Sequence, residues 1–172
     1  MLTIPELRNL LKRLDGESAG ALESEVLECK SWDTRPEARA AQVRQVRETV
    51  VCLANARGGD IVLGVQDARR VRRDAIQDLR ALDVDELRRQ IYDGTAPPIL
   101  VDVEELIEPE GRLLVIHVPR GMPPHTTSEG VGKIRVGTEC KPLTGPEFAR
   151  LYFSGGGRDL SAETLPGISV DA

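Results

Sequence analysis

The sequence predicts an α+β domain with a mixed, mainly antiparallel sheet flanked by helices. Three observations lead there. Apolar residues recur at helical spacing in "TIPELRNLLKRL", "PEARAAQVRQVRETVVCLANARGG" and "VDELRRQIYDGT". Two apolar runs, "PPILVDVEELIE" and "GRLLVIHVPRG", are separated by "PEG", a hairpin signal. Strands and helices then mix without the regular β–α alternation of a wound parallel sheet.

Each element has a local reason. Leu7, Leu10, Leu11 and Leu14 form a helical stripe behind Thr3, a side chain suited to an N-cap. "DGESAG" breaks that helix, and "VLECK" reads as a short strand before the "WDTRP" turn. Pro36 opens the next helix, Val43, Val46, Val50 and Leu53 line one side of it, and Gly58 or Gly59 caps it. "DIVLGVQD" is nearly continuously apolar, as a central strand requires, and Gly64 within it implies a close approach to the backbone. "ARRVRRDA" reads as a loop, and the helix in "VDELRRQIYDGT" stops at Gly94. After the hairpin, "GMPPHTTSEGVG" reads as a loop, "KIRVG" as a short strand and "TGPEFARLYF" as a closing helix. The domain is expected over residues 1–153, with 154–172 a flexible tail or linker into a longer protein.

The bulk numbers restrict function. A chain of 172 residues suits one core, and with aromatics at 3% that core must be aliphatic. No apolar run approaches the roughly 18 residues of a membrane span, and no secretory h-region opens the chain. Cys29, Cys52 and Cys140 are odd in number and widely spaced, which reads as free thiols in a reducing, cytoplasmic setting. A net charge of −5 argues against a polycationic coat. Yet residues 35–73 hold nine Arg against four acids, while 74–111 hold three Arg against eleven acids. A basic face on an acidic protein is one reading of that asymmetry, and solvated surface arginine is the other.

"ESEVLECK" concentrates the chemistry. Strand alternation sends Leu27 and Cys29 to one face and Glu28 and Lys30 to the other. A carboxylate two residues before a lysine serves metal-dependent nucleases, the acid holding Mg²⁺ or Mn²⁺ and the lysine steadying charge; it serves equally as an ion pair. A hard cation needs further oxygens. Glu23 precedes this strand and Asp67 follows "DIVLGV", so the three acids converge if the two strands are neighbours. "EGVGKIR" fails the phosphate-loop pattern because Thr127 and Ile134 stand where Gly and Ser or Thr belong, so there is no ATP motif. His117 reads as a satisfied strand residue and His125 as a loop residue able to meet a ligand. Arg135 in "IRVGTE" suits either a phosphate or a neighbouring acid.

"ESEVLECK", "VVCLANARGGDIVLGVQD", "LLVIHVP" with its Pro loop, and "KIRVGTECKPLTGPEFARLY" occur in an order that resembles the Schlafen AlbA-type domain, over about residues 15–152. The resemblance implies either a bacterial DNA-binding or transcriptional-regulator module or, as in vertebrate Schlafens, a metal-dependent endoribonuclease acting on structured RNA such as tRNA. The nuclease carboxylates fall motif by motif on Glu23, Glu28 and Asp67, with Lys30 assisting. Cys29 replaces the usual Phe, Ile134 stands where an aromatic is common, and the vertebrate zinc-binding cluster is absent. The vertebrate proteins fuse two such domains around RNA, so this single copy implies a homodimer. The resulting expectation is a nucleic-acid-binding domain contacting phosphates through Arg39, Arg44, Arg47, Arg69, Arg70, Arg72, Arg73 and Arg135. The alternatives are the endoribonuclease and a non-enzymatic dimerisation or protein-interaction domain.

Overall fold

The computed structural model describes residues 1–67, 69–122 and 124–154. Helix α1 spans Ile4–Leu11 and continues as a 3₁₀ turn over Lys12–Leu14; a second such turn covers Ala19–Ala21. Strand β1 is Leu27–Lys30, helix α2 is Arg39–Ala54 behind a 3₁₀ turn at Pro36–Ala38, and β2 is Gly59–Leu63. Helices α3 (Arg72–Ala75) and α4 (Val84–Asp93) follow, then the two-residue β3 (Thr95–Ala96). Strands β4 (Asp102–Glu108) and β5 (Gly111–Val118) form the expected hairpin. The chain ends in β6 (Thr126–Thr127), β7 (Lys133–Val136), β8 (Glu139–Pro142) and α5 (Gly145–Ser154).

The main sheet has the order β1-β2-β5-β4. Strands β1 and β2 pair in parallel, and the other two pairings are antiparallel. The fold is therefore the mixed, mainly antiparallel α+β sheet that the sequence predicts. Strand alternation divides the core between its faces. On one face Ile61, Leu63, Leu114 and Ile116 pack against Val43, Val46 and Val50 of α2 and Leu87 and Ile91 of α4. On the other, Val62, Leu113 and Val115 pack against Leu7, Leu11 and Leu14. Such buried aliphatic side chains on both faces, at roughly 1.5–3 kcal/mol apiece, explain how a core poor in aromatics holds together.

Local chemistry sets the boundaries. Thr3 and Glu6 close a capping box, with Glu6 accepting from the Thr3 amide at 2.7 Å, and these bonds hold the Glu6 carboxyl below its ordinary range. Asp83 caps α4 by accepting from the Glu86 amide at 3.0 Å. Gly58 ends α2 at φ 74°, and a Cβ there would lie 2.6 Å from the Val118 carbonyl oxygen. Gly64 has φ 104°, with Leu113 Cδ2 at 2.8 Å from the position of a Cβ, so the close approach it implied is to a core side chain.

Three expectations are corrected. "ARRVRRDA" is not all loop: it contains α3, because Arg72 is clamped by Glu108 and by Glu110 at 2.9 Å while Ala75 is buried. The loop "GMPPHTTSEGVG" supplies β6, which pairs with β3. The cysteines are not all free: Cys52 and Cys140 form a disulfide across 88 residues, leaving Cys29 as the free thiol. Of the expected tail at 154–172, Ser154 ends α5 and the rest lies outside the described residues. Among the described residues no helix is long and apolar enough to cross a membrane.

Candidate functional site at the exit of β1

The parallel pairing of β1 with β2 sets Glu28 beside Ile61 and Lys30 beside Leu63, so both strands deliver their C-terminal ends to one place. Leu27 and Cys29 enter the core, as alternation requires, and Glu28 and Lys30 project together. Lys30 Nζ meets Glu28 Oε1 at 2.9 Å, and Arg135 Nη1 meets Glu28 Oε2 at 2.6 Å. The Arg135 side chain is only 2% exposed. It also donates to the Ser24 carbonyl at 2.9 Å and the Leu27 carbonyl at 3.3 Å. Thus β7 is fastened to the turn carrying Glu23.

Glu23 Oε1 accepts from the Cys29 amide at 3.2 Å, and Asp67 Oδ1 accepts from the Gly20 amide at 2.8 Å. Glu28 and Asp67 both lie close enough to act on Glu23. Burial, then the charge of Glu28, raises the Glu23 carboxyl above its ordinary value, with Asp67 adding to the effect. Burial, then Glu23, Glu28 and Asp67, pushes the Cys29 thiol up to about 12. A divalent ion, however, needs oxygens free to face a common point. Glu28, the central acid, has a cation on each oxygen. Among the described residues no group of three His, Cys, Asp or Glu side chains gathers as a metal-ligand set. In this arrangement the acids do not fit Mg²⁺ or Mn²⁺.

Three depressions lie along α2. The first, about 220 Å³, is walled by Glu28, Lys30, Glu48, Lys133, Arg135 and Cys140. The second, an open groove of about 600 Å³, includes Ser31, Thr34, Gln42, Gln66 and Asp67. The third, about 300 Å³, shares Trp32, Asp33 and Thr34 with the second and reaches Arg39. Arg39, Gln42, Gln45 and Glu48 recur every third residue, so on a helix of about 3.6 residues per turn they form a slanted polar stripe that winds half-way round α2, Arg39 and Gln42 reaching the third and second depressions and Gln45 and Glu48 the first. Over nine residues that stripe runs about 14 Å. Lys133 and Glu48, paired at 2.6 Å, close one end. The sequence reading passed over Gln42, Gln45, Glu48 and Lys133; the three-residue spacing was the signal available.

The predicted arginines divide. Arg44, Arg69, Arg70 and Arg73 are exposed and Arg39 is half-buried on the groove. Arg39 and Arg44 belong to α2, and Arg69 and Arg70 follow groove-lining Asp67 in the chain. Arg47 donates to the Gln90 carbonyl at 2.8 Å, Arg72 holds Glu108 and Glu110, and Arg135 holds Glu28. His117 is satisfied by buried Asp60 at 2.7 Å, which also accepts from the Leu2 amide at 2.6 Å. His125 is buried, its Nδ1 at 2.8 Å from the Pro97 carbonyl, so it is a structural residue and does not face a ligand.

The family model for "Schlafen, AlbA_2" matches residues 23–144, which takes in β1 with its acids, the whole of α2 and the β7–β8 hairpin. The chain belongs to the Schlafen AlbA_2 family. A search of curated proteins found no match. Among solved structures, the DIP2311 protein from Corynebacterium diphtheriae aligns with a TM-score of 0.61 at 23% identity, over 78% of this chain and 28% of that one. The Schlafen AlbA_2 chain thus spans less than a third of DIP2311, and the likeness shows the fold. The N-terminal domain of a RecG-related protein from Nitrosomonas europaea aligns with a TM-score of 0.42 at 23% identity, over 70% and 74% of the two chains.

Proposed function

We propose that this Schlafen AlbA_2 domain binds nucleic acid, DNA or RNA, along the polar groove between α2 and the exit of β1. The supporting observation is the polar lining that Arg39, Gln42, Gln45 and Glu48 of α2 give to the three depressions, with exposed Arg69 and Arg70 following groove-lining Asp67 in the chain. An open groove of about 600 Å³ flanked by two smaller depressions suits a few nucleotides of backbone. Its polar walls and the burial of Trp32, the sole tryptophan, favour phosphate contacts over base stacking. Family membership supports the same reading.

The proposal does not extend to metal-dependent cleavage. What supports a structural role for the acids is that Glu28 pairs with Lys30 and Arg135, Glu23 accepts from the Cys29 amide and Asp67 accepts from the Gly20 amide. A second copy would lengthen the groove, and light scattering with and without oligonucleotide tests that homodimer. The binding test is fluorescence anisotropy with labelled single- and double-stranded DNA and RNA across a salt series. Affinity should fall as salt rises, with log K losing roughly 0.7–0.9 per phosphate contact for each tenfold rise in salt. No binding at low salt, or binding indifferent to salt, overturns the reading.

A further inference from the structure

The Cys52–Cys140 disulfide has two unequal ends. Cys52 is fully buried on α2, whereas Cys140 is half-buried on β8 and lines the depression that also holds Glu28 and Arg135. The remaining side chains of β8, at Glu139, Lys141 and Pro142, are exposed. Cys140 is therefore the strand's side-chain anchor to the body of the domain. Strand β7 has other attachments: its Lys133 pairs with Glu48 and accepts from Asn55 Nδ2 at 2.8 Å, and Arg135 is buried on Glu28. Beyond β8 lies α5, exposed along most of its described length. Covalent attachment thus falls where non-covalent packing is thinnest.

We infer that Cys140 is a thiol–disulfide exchange site, and that its link to Cys52 is a redox tether holding β8 to α2, with α5 following from β8 in the chain. The depression gives a dithiol reductant a path to Cys140 Sγ. A reductant thiolate attacks that sulfur, a mixed disulfide forms, the S–S bond breaks, and Cys52 leaves as a thiolate and takes a proton. The reductant's second thiolate then attacks its own sulfur in the mixed disulfide. It leaves as a cyclic or paired disulfide and releases the Cys140 thiolate beside the Arg135 guanidinium, whose Nη1 lies 3.9 Å from Sγ. Two electrons pass from the dithiol to the protein, and the protein ends with two more thiols. The released segment retains its ladder to β7 and loses its tie to α2. This inference stands independently of nucleic-acid binding.

The test uses the full chain, purified without reductant. Thiol counting in denaturant should find one free thiol before and three after dithiothreitol. Hydrogen exchange should then rise at least tenfold for amides in 138–150 on reduction, with β2 and β5 unchanged. Cys140→Ser should exchange at the reduced rate without reductant, and Cys29→Ser should keep the full redox response. Three free thiols before reduction, or verified reduction with unchanged exchange in 138–150, overturns the inference.

Discussion

Arg135 and Glu28 meet at 2.6 Å across 107 residues of chain, both largely withdrawn from solvent. The same guanidinium donates to the carbonyls of Ser24 and Leu27, so one side chain satisfies a carboxylate and a turn together. Removing Arg135 leaves the largely buried Glu28 with Lys30 alone and takes from the Ser24 carbonyl its Arg135 donors. Arg135→Ala should therefore cost about 3 kcal/mol or more in urea unfolding. The double variant Arg135→Met with Glu28→Gln should cost less than Arg135→Ala alone. Equal stability of Arg135→Ala and wild type would remove the pair from the framework of the domain.

The arginine block makes a contrasting pair of variants. Arg69 and Arg70 are exposed, while Arg72 is held by Glu108 and Glu110. Arg69→Ala with Arg70→Ala should leave thermal stability unchanged and reduce the salt slope of binding by between roughly 1 and 2. Arg72→Ala should do the reverse, costing about 2 kcal/mol of stability with little change in slope. Calorimetry and anisotropy on the same preparations separate the two. A loss of slope in Arg72→Ala would return that residue to the interface.

Glu23 carries a pH signature. Its folded carboxyl titrates above its unfolded value because of burial and the neighbouring Glu28. Between those two values the native state binds more protons than the unfolded chain, so this residue makes stability fall as pH rises through the window just above 4.5. Glu23→Gln keeps an oxygen for the Cys29 amide and carries no charge. It should be more stable than wild type near pH 7, and the gain should vanish below pH 4. Thermal melts across that range check it; a gain that persists at pH 4 would point to packing in place of charge.

Much of this was legible from local pattern. The capping box of α1, the valine stripe of α2, the β4–β5 hairpin and the split of Leu27 and Cys29 from Glu28 and Lys30 all follow from spacing within a dozen residues. Distant pairings left no such trace. Cys52 and Cys140 lie 88 residues apart, and nothing near either announces the other. Arg135 suited a phosphate as well as an acid, and only the fold places it on Glu28. The four-residue α3 is too short to show a period and owes its place to Arg72 and a buried Ala75. The arginines of 35–73 formed one block in sequence, but the fold puts Arg39 and Arg44 on α2 and Arg69 and Arg70 after β2, and acids distant in sequence hold Arg72 and, outside the block, Arg135.

The acidic cluster supplies the last prediction. Glu28 and Asp67 are near enough to raise the Glu23 carboxyl, as a metal site's neighbouring ligands would, yet Glu28 is already paired with Lys30 and Arg135. A divalent ion would have to displace two cations, one of them buried, before gaining Glu28 as a ligand. Millimolar Mn²⁺ or Mg²⁺ should therefore leave the melting temperature unmoved, since a ligand that binds only the native state would raise it. Structured RNA such as tRNA should emerge uncut under the same conditions. A metal-dependent rise in melting temperature that disappears in Glu28→Gln, accompanied by cleavage that disappears with it, would show that Arg135 yields the carboxylate and that the cluster is a metal centre.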